Sequence, residues 1–339
     1  MIMKKSISIF ILGGLLLSGC EEDPMVQTDG FVTQPVISCI IDSNDTVHYI
    51  RIGRVFSGLL PPFETARDKD SLYFDLVEVN VAVKEIRTRK WINLPVKPWI
   101  ISNKDTGAFN SDSFDVYRFE IDLLQDVFVV GCPWIIDYQY LLYSDILVTV
   151  KVPGLPLAKC ATPLVAPPKI WSPDRAQTYL FLYPDNPIRV QWSGDVWNEF
   201  DISFEIHEQF PDKTVKQFFT IQKTSEIHYN GQYYEIRIPY ELIVQTLNQN
   251  LEVRSDVIRR YFGPFRIDVL TGNQAFYTYM EFKNGINDFN FNPYDNVENG
   301  IGLIAGKSSF IKTTLYLDQP SRLKFTVEPS LRKFRIIEY

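Results

Sequence analysis

"VEVNVAVKE", residues 77–85, is the stretch on which the fold assignment turns. Val77, Val79, Val81 and Val83 occupy every second position, and Glu78, Asn80 and Lys84 stand between them. A helix would scatter those valines around its axis. A strand collects them on one face, and β-branched side chains suit a pleated, half-buried surface. The same alternation recurs as Ile188, Val190 and Trp192, as Ile202, Phe204 and Ile206, as Tyr234, Ile236 and Ile238, and as Leu323, Phe325 and Val327. Pro, Gly, Asn and Asp punctuate these runs, the pattern of antiparallel strands joined by turns.

One segment keeps a different period. In residues 238–253, Tyr240, Ile243, Val244, Leu247 and Leu251 follow at offsets of three, four, seven and eleven, and Pro239 is tolerated at a first helical turn. The sequence thus predicts an all-β chain with one short helix, over 240–253. Its length suits two domains. The break is expected at 161–174, "ATPLVAPPKIWSPD", because four prolines in fourteen residues disfavour a central strand and favour a stiff connector. The expected organisation is two β-sandwiches of immunoglobulin/fibronectin-like type, over residues 31–160 and 175–339.

The start of the chain carries a separate signal. Lys4 and Lys5 precede an apolar run over residues 7–17 that is short for a membrane span, and Ser18, Gly19 and Cys20 follow. The Leu-Ser-Gly-Cys ending resembles the bacterial lipobox. That resemblance implies cleavage after residue 19, acylation of Cys20 and anchoring in outer-membrane lipid, each buried methylene contributing about 0.8 kcal/mol. Glu21, Glu22 and Asp23 resemble the acidic signal that marks lipoproteins of Bacteroidota for export to the cell surface. Residues 20–30 then read as a tether.

Bulk composition narrows the function classes. Formal net charge is −7, which argues against nucleic acid, whose binding rests on basic patches. Hydrophobic residues make up 45% of the chain, enough for a sizeable core. There are four cysteines. Beyond Cys20, Cys132 and Cys160 are a candidate disulfide pair for an exported chain, and Cys39, within an apolar strand-like run, reads as a small buried residue.

The motifs of catalysis are not evident. His48, His207 and His228 lie far apart and form no zinc pattern. There is no nucleophile elbow and no phosphate-binding glycine loop, and Gly300 and Gly302 read as turn and close-packing residues. Asp288, Asp295 and Glu298 depart from the EF-hand spacing. The sequence therefore predicts no catalytic residue, no metal and no cofactor. A carboxylate-based hydrolase of extracellular polymers is the alternative, since two acids at the required separation need not be close in sequence. A structural or adhesion protein is a further alternative.

Four stretches carry a family resemblance: "HYIRIGRVFSG" (48–58), "ARDKDSLYF" (66–74), "VTVKVPGLPLAKCATPLVAPPKIWSP" (148–173) and "YDNVENGIGLIAG" (294–306). On these the chain is similar to a Bacteroidota lipoprotein family catalogued as a domain of unknown function. The resemblance implies a secreted β-rich protein, often encoded near TonB-dependent transporters, with no catalytic residues assigned. The expected role is a non-enzymatic co-receptor or lid of such a transporter, or a subunit of a larger outer-membrane complex. Phe289, Phe291 and Tyr294, in an Asn-rich stretch, are the expected aromatic contacts, with Leu59 and Phe63 as the alternative.

Overall fold

The computed structural model describes residues 33–55, 69–102, 113–127, 138–174, 176–222, 227–283 and 296–338. In chain order its elements are β1 (Pro35–Asp42), β2 (Val47–Arg54), the single turn α1 (Lys69–Leu72), β3 (Glu78–Glu85), β4 (Trp91–Leu94), β5 (Val96–Ile101) and β6 (Phe114–Glu120). Next come β7 (Leu124–Val127), β8 (Tyr138–Leu141), β9 (Tyr143–Lys151), β10 (Ala158–Pro163), β11 (Lys169–Ser172), β12 (Tyr179–Leu180), β13 (Ile188–Ser193) and β14 (Trp197–Gln209). The remainder is β15 (Thr214–Gln222), β16 (His228–Tyr229), β17 (Tyr234–Ile238), α2 (Tyr240–Asn250), β18 (Arg259–Gly272), α3 (Gln274–Lys283), β19 (Ile301–Leu317), α4 (Gln319–Val327) and a 3₁₀ turn at Pro329–Phe334. The protein is mostly β, in several antiparallel and mixed sheets.

The largest sheet runs β15-β14-β18-β19-β1-β2-β6-β5, with β12 also on β19. It crosses the sequence from end to end. β1 lies parallel to β19, in register from Val36 against Ile301 to Asp42 against Lys307, so both halves of the chain contribute to one hydrogen-bonded sheet. Gly302 makes this pairing possible. Its φ is +130°, and an added Cβ would stand 2.0 Å from the Ile37 carbonyl oxygen. Two four-stranded sheets, β10-β9-β3-β4 and β11-β13-β17-β16, and the two-stranded sheet β7-β8 complete the strands among the described residues.

The alternating residues fill two main cores. In one, Ile37, Cys39, Ile41, Ile50 and Ile52 meet Val81, Val83, Ile146, Val148 and Val150. In the other, Phe200, Ile202, Phe204 and Ile206 meet Ile188, Val190, Trp192, Ile236 and Ile238, with Ile243 and Leu247 of α2 and Phe325 of α4. A smaller cluster joins Phe276 and Met280 of α3 to Leu303 and Ala305. Leu303 and Ala305 alternate along β19 with Ile304 of the first core, so α3 covers the opposite face of the large sheet.

Three expectations need correction. Residues 322–327 are helical. Asp318 accepts a hydrogen bond from the Ser321 backbone N–H, and proline occupies the first turn, so capping starts a helix here. Phe325 is buried while Leu323 and Val327 are exposed, which a strand face shared by all three would not allow. A second unexpected helix, α3, starts at Asn273, whose side-chain oxygen accepts from the Phe276 N–H. The proline-rich stretch is not one unbroken connector either. Ala161, Thr162 and Pro163 close β10, and Lys169–Ser172 forms β11. Both strands lie at sheet edges, where proline's missing N–H costs no ladder bond.

Candidate functional site

β4 and β5 are consecutive in the chain, separated by Pro95 alone, yet belong to different sheets. Among the described residues each is the terminal strand of its sheet, so the chain passes directly from the edge of one sheet to the edge of the other. Trp91 and Ile92 on β4 and Trp99 and Ile100 on β5 are exposed, Ile100 at 62% and the other three above 40%. A cation sits over each indole. Arg118 stands 4.9 Å from the Trp99 ring and is itself paired with Glu120 at 2.6 Å. Lys84 stands 5.8 Å from the Trp91 ring and pairs with Asp145 at 3.7 Å. These contacts orient the rings while leaving apolar area in solvent.

A cleft of about 630 Å³ adjoins this edge, lined by Trp99, Ile100, Tyr73, Phe74, Asp75, Asp115 and Tyr117 among others. Burial raises the Tyr117 hydroxyl above its ordinary pKa, and the charge of Asp115 adds to the effect. The site thus combines aromatic surface with two acids.

Elsewhere the titratable groups form local networks. Glu205 and His207 share a face of β14, with Oε2 and Nε2 2.6 Å apart, and Lys216 of β15 lies 3.1 Å from the same carboxylate. Burial pushes the Glu205 carboxyl up, but the bonds from His207 and Lys216 outweigh it and hold the group below its ordinary value. Asp201 and Asp268 are cross-strand partners on β14 and β18. Burial raises the Asp201 carboxyl. The bond from Gln222 opposes that rise, and the Asp268 charge reinforces it.

Of the residues singled out by sequence, Cys20, Glu21, Glu22, Asp23, Leu59, Phe63, Cys132, Phe289, Phe291 and Tyr294 lie outside the described residues, as do Asp288 and Asp295. Cys160 is buried in β10 and shares a core with Cys39. Burial pushes the Cys39 thiol up to about 12, with the charge of Cys160 adding to the effect. Glu298 pairs with Lys159 at 2.9 Å. Among the described residues no group of three or more His, Cys, Asp or Glu side chains is placed to hold a metal ion. His48 is buried, His207 belongs to the Glu205 network and His228 is exposed. Sequence reasoning passed over Trp91 and Trp99. Their short strands show no clear alternation, and only the meeting of two sheet edges sets them apart.

No family model matches the chain, and no curated protein matches it.

Proposed function

We propose that this chain is a lipid-anchored protein of the outer-membrane surface that acts without catalysis, docking on a membrane-protein partner. The partner class is a TonB-dependent transporter or another outer-membrane complex. The observation that carries the reading is the exposed set Trp91, Ile92, Trp99 and Ile100 on two adjoining sheet edges. Tryptophan is enriched among interface anchors, and an open edge strand offers backbone donors and acceptors to an added strand. The lipobox-like start supports a location where such a partner resides. In this reading the halves 31–160 and 175–339 are two sandwich-like modules built on a shared sheet, with Val297 and Ile304 of the second half completing the core of the first.

The test is co-purification from detergent-solubilised membranes. The native chain should elute with a membrane barrel. The double variant Trp91→Ala/Trp99→Ala should elute alone with its far-UV circular dichroism intact. A native chain that elutes alone, with no barrel captured by crosslinking in cells, would replace this reading with a free-standing binding protein.

The hydrolase reading keeps one specific support, the facing carboxyls of Asp201 and Asp268 with Asp201 shifted upward. Asp201→Asn should abolish any polymer-cleaving activity if that pair is catalytic.

A further inference from the structure

The face of the large sheet that carries α3 also holds a groove of about 630 Å³. Val36 and Ile40 of β1, Val116 of β6 and Leu303 of β19 line it along the sheet, and Tyr279 lines it from α3. Its size and apolar lining are those of small-ligand sites, which fall at roughly 300–1,000 Å³. Among the described lining residues Arg51 is the one charged side chain. Its guanidinium stands 5.4 Å from the centroid of the Phe114 ring, also in the lining. No carboxylate pairs with it among the described residues, whereas Arg118, Arg260 and Arg266 each have an acid partner. A lone cation over an apolar trough, in a chain of net charge −7, is complementary to a ligand with one anionic end and one apolar end.

We propose that this groove binds a free fatty acid, with the acyl chain along the sheet and the carboxylate on Arg51. A planar carboxylate matches the guanidinium fork through two parallel hydrogen bonds. The chain would displace water from the trough, and the lower local dielectric would strengthen the ion pair. A neutral alcohol of equal chain length would bury the same methylenes and leave Arg51 unpaired. The groove shares Val116 with the cleft beside the β4–β5 edge, but Arg51 lines the groove and not that cleft, so the Arg51 variants separate this proposal from the docking reading.

The experiment is titration calorimetry of the whole chain with decanoate, decanol and a lysophospholipid of matched chain, each below its micelle concentration. Decanoate should bind saturably and at least tenfold more tightly than decanol. Arg51→Gln should weaken decanoate at least tenfold and leave decanol unchanged, and Arg51→Lys should fall between. Ser38→Phe places a ring in the groove from an exposed position and should weaken both chains. Thermal unfolding of each variant separates loss of binding from loss of fold. The proposal is overturned by absence of saturable decanoate binding, by equal affinity for decanol, or by an unchanged decanoate affinity in folded Arg51→Gln. Tighter binding of the lysophospholipid than of decanoate would also overturn it, assigning the site to a lipid phosphate.

Discussion

His48 is 3% exposed, its ring stacks on Phe119 at 5.1 Å, and its Nε2 has no hydrogen-bond partner among the described residues. Burial lowers its pKa below 6.5, against the opposing charges of Asp45 and Asp42 and a hydrogen bond to the Asp45 backbone. Above the unfolded value both states are neutral. Below it the unfolded chain binds a proton that the folded site resists, so this residue's contribution falls as pH drops from about 6.5 toward the folded pKa. His48→Phe keeps the stack and removes the titration. Urea unfolding between pH 7 and pH 5 should show a shallower acid-side decline for the variant than for the native chain.

A second residue-scale case is Arg260. Its guanidinium binds Glu208 Oε1, the Phe334 carbonyl at 2.9 Å and the Glu252 carbonyl at 2.8 Å, and both charged side chains are 1% exposed. One buried cation thus ties β18 to β14, to the loop after α2 and to the C-terminal 3₁₀ turn. Removing one partner leaves the other charged in a dry site, at a cost of about 3–5 kcal/mol. Arg260→Met should lose about that much in urea unfolding, whereas Arg260→Met with Glu208→Leu should recover a substantial part of it.

At the scale of elements, α4 depends on Asp318. Its Oδ1 accepts the Ser321 N–H at 3.1 Å, and its Oδ2 accepts the Tyr183 hydroxyl at 2.8 Å. The residue therefore caps the helix and attaches it to the segment after β12. Loss of an N-cap costs about 1 kcal/mol. Asp318→Ala should lower stability by about that amount, and Asp318→Asn should lose less. The measurement is the shift in the denaturant midpoint at constant slope.

Over the whole molecule, side-chain hydrogen bonds reinforce the join between early and late segments. Ser43 donates to the Val165 carbonyl at 2.6 Å, and Asn44 accepts from Ser308 Oγ and the Ser309 N–H, both at 2.8 Å. Asn273 donates to Thr162 Oγ1 at 3.1 Å and to the Pro163 carbonyl at 2.9 Å. Ile304 and Val297 complete the core that Ile37 and Cys39 begin. A chain ending at residue 160 would lose these side chains and expose one edge of β1. Residues 31–160 expressed alone should therefore aggregate or show no dispersed amide spectrum, while the chain from residue 31 to 339 unfolds cooperatively. A well-dispersed spectrum from the shorter chain would restore the picture of independent domains.

The sequence by itself determined the local periods. Alternation over Val79, Val81 and Val83 and over Ile202, Phe204 and Ile206 specified strands, and the stripe through Tyr240, Ile243 and Leu247 specified α2, because those patterns follow from backbone geometry. Residues 322–327 show the limit of that reasoning. Leu323, Phe325 and Val327 alternate, but the Asp318 cap decides for a helix, and cap and alternation point opposite ways until the structure is known. The chain also holds no local mark of which strand pairs with which. The parallel contact of β1 with β19 joins segments more than 250 residues apart, and the edges at β4 and β5 exist only because the sheets end there. The groove around Arg51 draws its lining from β1, β2, β5, β6, α3 and β19. Long-range pairing brings these residues together, and tertiary structure alone decides that pairing.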